Sequence, residues 1–84
     1  MYEVYLEQTA ERELKRLSVQ NFHRIIPQIK TLAENPMPSG CHKIFGSKSD
    51  WRLRIGNYRI IYEIDKKIKT VRIMRIRHRR EAYR

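Results

Sequence analysis

The sequence predicts an α+β fold. It reads as a single small domain over residues 1–84, with elements in the order β-α-α-β-β-β and an antiparallel sheet packed against a helical pair. Three observations carry this prediction. Residues 51–64 alternate apolar and polar side chains with period two, the mark of a strand with one buried face. Gly56-Asn57 interrupts that alternation as a two-residue hairpin turn would. Between residues 22 and 33 the apolar side chains recur instead at helical spacing.

In chain order, Tyr2-Glu3-Val4-Tyr5-Leu6 alternates and predicts a short first strand. Thr9 is the expected N-cap of a first helix reaching Leu17, since Glu11 and Glu13 favour a helix start and Ala10, Leu14 and Leu17 share one side. Ser18 is expected to cap a second helix over 19–34. Phe22, Ile25, Ile26, Ile29, Leu32 and Ala33 form its apolar stripe. Pro27 removes a backbone donor inside that stripe, yet the spacing continues beyond it without a change of phase. Asn35-Pro36 ends the helix. Residues 37–50, with Pro38, Gly40 and Gly46, read as irregular chain leading to the sheet.

A glycine in the first loop position suits a type II′ turn, and this fixes a register. Ile55 then faces Tyr58, Arg54 faces Arg59, Leu53 faces Ile60 and Trp51 faces Tyr62. One side of the hairpin becomes Trp51, Leu53, Ile55, Tyr58, Ile60 and Tyr62, a wall of core. The other side carries Arg52, Arg54 and Arg59, with Ile61 among them. Like charges directly opposite on a sheet are destabilising. Arg54 set against Arg59 therefore points to an anionic ligand; the plainer alternative is a solvated outer sheet face. With Lys66-Lys67 as the second loop, Val71 faces Tyr62 and Ile73 faces Ile60 on a last strand over about 68–77. Arg72, Met74 and Ile76 then join the arginine face. Arg77 has the wrong parity for that face unless the strand bulges or ends there. His78 to Arg84 reads as a basic tail.

Charge is unevenly placed. The net charge is +10; residues 1–49 hold 7 Lys+Arg against 5 Asp+Glu, and residues 50–84 hold 12 against 4, so +2 and +8. Basic charge massed on one part of a small domain is the footprint of a nucleic-acid binder. Lys43, Lys48, His78, Arg79 and Arg80 are the candidate contacts to a nucleic-acid backbone. No apolar run approaches membrane-spanning length, and the basic residues lie on strands rather than an amphipathic helix. Met1-Tyr2-Glu3 lacks the basic start of a secretory signal, and Cys41 is the one cysteine, so a reducing, cytoplasmic location is expected.

The residues offer little equipment for hydrolysis by metal ions or paired carboxylates. The glycines are isolated, the carboxylates scattered, and His42 has no partner at metal-ligand spacing. No cofactor is implied. The equipment present suits phosphate, because the planar guanidinium grips phosphate oxygens through two donors. RNA cleavage needs little more. The 2′-hydroxyl is the nucleophile, and the protein aligns it and neutralises charge on the phosphate. His78, among Arg77, Arg79 and Arg80, reads either as a proton acceptor or as a solvated tail residue. Tyr83 reads either as a base-stacking ring or as an aromatic docked on the core.

At W-R-L-R-x-G-x-Y-R-x-x-Y and R-x-x-R-R-E-x-Y the sequence resembles the RelE branch of the RelE/ParE superfamily of bacterial and archaeal toxins. The AENP helix end and the HKIFG segment extend the likeness over nearly the whole chain. The resemblance implies a RelE-like fold and a toxin that cuts messenger RNA in the ribosomal A site without metal. It implies a cognate antitoxin, expected here as an acidic, helical segment wrapping the toxin in a hetero-oligomer. The family's catalytic positions fall on Arg52, Arg54, Arg59, Arg77 and Tyr83, and Lys43 matches a basic loop position used toward RNA. One departure matters: Arg52 and Arg54 occupy positions that can be lysine in relatives, and arginine does not give up its proton. The general base is thereby left open between assistance from Arg54 and proton transfer to His78. A ParE-like inhibitor of DNA gyrase, sharing the fold without RNA cleavage, is the alternative function.

Overall fold

The computed structural model describes residues 1–82, with backbone alone for Glu81 and Ala82. The elements are β1 (Glu3–Leu6), α1 (Gln8–Lys15), α2 (Val19–Thr31), β2 (Cys41–Lys43), β3 (Asp50–Ile55), β4 (Tyr58–Asp65), β5 (Thr70–His78) and α3 (Arg79–Ala82). The strands form one five-stranded sheet in the order β1-β5-β4-β3-β2. The expected antiparallel sheet is in fact mixed, because β1 runs parallel to β5 with Val4 beside Val71 and Leu6 beside Ile73. That pairing joins the two ends of the chain, and no local signal of turn or loop length reaches that far.

Both helices begin where the backbone can leave its preceding element. Glu7 N–H still bonds Ile73 O at 2.9 Å, and Glu7 O already accepts from Glu11 N. Glu7, not Thr9, is therefore the N-cap, and it makes no side-chain cap. Ser18 caps α2 as expected, its Oγ accepting from Asn21 N at 3.2 Å. Pro27 lies inside α2 without ending it. The regular helix stops at Thr31 rather than residue 34, because the last turn tightens. Leu32, Ala33 and Glu34 N–H groups each bond three residues back.

The inner face of the sheet meets these helices. Ala10, Ile25, Ile29 and Leu32 pack against Leu53, Ile55, Ile60, Tyr62, Ile64, Val71, Ile73 and Ile76, all buried. Tyr62 is completely buried, and its hydroxyl donates to Pro36 O at 2.8 Å, fastening the end of the helical layer to the sheet. Burial pushes its phenol well above the ordinary tyrosine range, and neighbouring Cys41 adds to the shift.

The first hairpin has the expected register throughout, from Ile55 opposite Tyr58 to Trp51 opposite Tyr62. Gly56 has φ 58°, while Asn57 is not among the positive-φ residues, which is the type II′ pattern. A Cβ on Gly56 would also sit 2.7 Å from the Arg24 guanidinium, which lies against the turn. The second hairpin differs from expectation. Its loop is four residues long, so Asp65 pairs with Thr70 and Tyr62 with Ile73. Asp65 Oδ1 accepts from Lys67 N and Ile68 N, and Lys69 takes a positive φ of 54° to re-enter the sheet.

Candidate nucleic-acid interface

The arginine face is the outer side of the sheet, and a bulge decides its membership. Between Tyr62 opposite Ile73 and Ile61 opposite Arg75, β5 uses one residue more than β4, and Met74 is the extra one. The bulge reverses the parity of everything after it. Ile76, expected on the arginine face, turns inward and is buried. Arg77, which a regular strand would send inward, turns outward and stands opposite Arg59. Arg54, Arg59 and Arg77 thus form one row across β3, β4 and β5. At a strand spacing of about 4.8 Å the row spans roughly 10 Å. The next row holds His42, Arg52, Ile61 and Arg75.

Two further arginines of this side are tied to carboxylates. Arg75 Nε and Nη2 donate to Glu13 of α1 at 3.0–3.3 Å, and the same carboxylate accepts Ile76 N–H at 2.8 Å. Glu13 thereby satisfies a β5 edge that β1 does not reach. Arg72, on the arginine face as expected, lies 3.1 Å from Glu63 and 3.1 Å from Glu7. The Glu7 contact is a charge contact, since Arg72 Nε has no aligned hydrogen bond. The outer face is therefore polarised. Acidic side chains balance the Asp50–Glu63–Arg72 end, and arginines collect at the Gly56 end.

At that arginine end lies an open pocket of about 410 Å³ lined by Gly40, His42, Arg52, Arg54 and Arg59. Its lining holds three guanidinium groups and, among the described residues, no carboxylate. The site thus brings together Arg52, Arg54 and Arg59, with Arg77 one strand further on. Lys43 and Lys48 instead line a second open pocket of about 540 Å³, shared with Lys66, Lys67 and the carboxylates of Glu63 and Asp65, toward the other hairpin loop. His78 has the parity of Tyr58, and the two rings meet edge to face at 5.2 Å. His78 therefore borders a pocket with Leu17 and Ile76 on the helix side of the sheet. Its Nδ1 accepts from Arg80 N, and Arg79 N bonds Asn57 O, so the tail turns over the first hairpin loop. Tyr83 lies outside the described residues.

His42, which has no partner at metal-ligand spacing in the sequence, and Gly40, expected in irregular chain, also line the pocket. The three-residue strand β2 is too short to show alternation, and only its pairing with β3, with His42 opposite Arg52, puts that histidine at the pocket. Among the described residues, no group of three or more His, Cys, Asp or Glu is placed to hold a metal ion. No helix among them is long and apolar enough to cross a membrane.

A five-stranded mixed sheet with α1 and α2 on one face and arginines gathered on the other is a RelE-like α+β fold. A family model described as "ParE toxin of type II toxin-antitoxin system, parDE" matches residues 4–83, and the chain belongs to that family, within the RelE/ParE superfamily. Among solved structures it is similar to a chain of the archaeal RelE-RelB complex from Pyrococcus horikoshii, at 25% identity and TM-score 0.83, covering 93% of this chain and 94% of that one. A chain of the toxin-antitoxin complex RelBE2 from Mycobacterium tuberculosis shares 28% identity at TM-score 0.82, over 93% and 98% of the two chains. The RelB-RelE complex from Methanococcus jannaschii contributes a third, 26% identical at TM-score 0.78, over 93% of each. No curated protein sequence matches the chain.

Proposed function

We propose that this toxin is a ribosome-dependent endoribonuclease that cuts messenger RNA in the A site, without metal, by attack of a 2′-hydroxyl on the adjacent phosphate. The observation that carries the reading is the pocket of Arg52, Arg54 and Arg59, continued by Arg77 across the sheet. Cross-strand arginines repel one another, and the pairing becomes favourable when a phosphate lies between them. The reaction gathers extra negative charge on the phosphate oxygens, and fixed guanidinium groups stabilise that charge without reorganising. Arg59 and Arg77 are assigned to that charge, Arg52 and Arg54 to holding the 2′-hydroxyl side of the scissile linkage, and Tyr83 to aligning the substrate. Lys43, Lys48, Arg79 and Arg80 are assigned to more distant backbone, which sets affinity rather than chemistry. His78, on the helix side against Tyr58, is assigned to the support of the tail.

A cognate antitoxin belongs to the same reading. Several similar structures are toxin–antitoxin complexes by their own description. A net charge of +10 attracts an acidic, helical segment that lowers the potential of the arginine face.

The family model that matches bears the ParE name, and this favours a second reading, inhibition of DNA gyrase without RNA cleavage. Primer extension on a translated messenger RNA separates the two. Purified protein added with programmed ribosomes is expected to give cuts at A-site codons, and none when ribosomes are left out. Folded protein that gives no cuts in either sample, and inhibits supercoiling by gyrase, establishes the second reading instead.

A further inference from the structure

Attack by a 2′-hydroxyl requires something to take its proton, and the arginine pocket is poor in acceptors. Arg52, Arg54 and Arg59 are donors only and stay protonated. The other histidines are elsewhere: His23 meets Phe22 edge to face on α2, and His78 meets Tyr58 on the helix side. Among the described residues, the one lining side chain with an acceptor atom is His42.

We propose that His42 is the general base of the cleavage, an assignment that rests on the RNA-cleaving reading above. Two independent features of the fold place it. His42 stands directly opposite Arg52 in the β2–β3 ladder, where facing Cβ atoms lie about 4.5–5.5 Å apart and on the same side of the sheet. β2 is also the edge strand of the sheet, so the imidazole is exposed and RNA reaches it without displacing a helix. Histidine is the side chain whose ordinary titration range lets it accept and release a proton near neutrality.

The step balances within the RNA and one proton relay. The 2′-oxygen forms a bond to phosphorus as its proton passes to the unprotonated ring nitrogen of His42, and the bond from phosphorus to the 5′-oxygen breaks. The departing 5′-oxygen takes a proton from water, and the imidazolium returns its own to solvent. The products are a 2′,3′-cyclic phosphate and a 5′-hydroxyl. Among the described residues, the charged groups facing His42 across the pocket are Arg52 and Arg54 of β3 and Arg59 of β4, and none of the lining residues is a carboxylate. A base acts only while neutral, so cleavage should slow toward acid pH.

The test is single-turnover cleavage of messenger RNA in programmed ribosomes, by wild type, His42→Ala and His42→Gln, from about pH 5 to about pH 8. Both variants should cleave about 100-fold or more slowly, lose the acid limb of the pH profile and bind programmed ribosomes as wild type does. Added imidazole should restore cleavage by His42→Ala in part. Variants that cleave at close to the wild-type rate with the acid limb intact overturn the assignment and leave the RNA-cleaving reading standing. A wild type that cleaves nothing removes both, and that outcome is seen before any variant is compared.

Discussion

At the scale of single residues, Tyr62 shows how a group in the core couples stability to pH. Its ring fills the centre of the sheet and its hydroxyl bonds Pro36 O at 2.8 Å. In the unfolded chain a tyrosine ionises near pH 10, whereas the buried phenol keeps its proton to higher pH. The sign follows directly. The stability this group contributes is complete below about pH 10, where both states are protonated. It is lost as pH rises toward the native value, at up to about 1.4 kcal/mol per unit. Tyr62→Phe removes the hydrogen bond, a loss of about 0.5–1.5 kcal/mol at neutral pH, and removes this alkaline loss as well. Urea unfolding of both proteins at about pH 8 and about pH 11 reads the difference. An equal alkaline loss in the two proteins contradicts this role for Tyr62.

At the scale of elements, the bulge at Met74 matters most for the site. Without it, Arg77 faces the core and Ile76 faces solvent; with it, Arg77 completes the row of Arg54 and Arg59. Deleting Met74 forces a choice between burying a guanidinium and breaking the ladder, and taking a charge out of water into the core is costly. The deletion is expected to give protein that does not unfold cooperatively in urea, while Met74→Leu, which keeps the extra residue, unfolds as wild type does. A deletion variant as stable as wild type rules out the bulge as the reason for Arg77's position. The same elements show where sequence reading reaches and where it stops. The register of the first hairpin was legible because Gly56-Asn57 fixes both loop length and turn type locally. The second was not, because nothing in Asp65-Lys66-Lys67-Ile68-Lys69 marks Lys69 for a positive φ. Parity survived that error, since a shift of two residues keeps every side chain on its face. The bulge was legible only as the condition under which Arg77 reaches the site, and β2, with His42, was too short to leave a period.

At the scale of the whole molecule, charge rather than shape directs what this fold meets. The helices take the apolar face, and the carboxylates Glu7, Glu13 and Glu63 engage Arg72 and Arg75. The Gly56 end keeps the three guanidinium groups of the pocket together within a chain of net charge +10. Such a field draws in polyanions and weakens with added salt. It also sets function against stability, because arginines stacked across strands repel one another in the free protein. The central claim is that this arginine face binds and cleaves RNA, and Arg59, in the middle of its row, tests it most directly. The measurement is single-turnover cleavage of A-site messenger RNA by Arg59→Ala beside wild type, with the urea unfolding midpoint of each. Cleavage lower by about 100-fold or more, in protein that still unfolds cooperatively in urea, is the predicted result. A folded Arg59→Ala protein that cleaves at the wild-type rate would contradict the account.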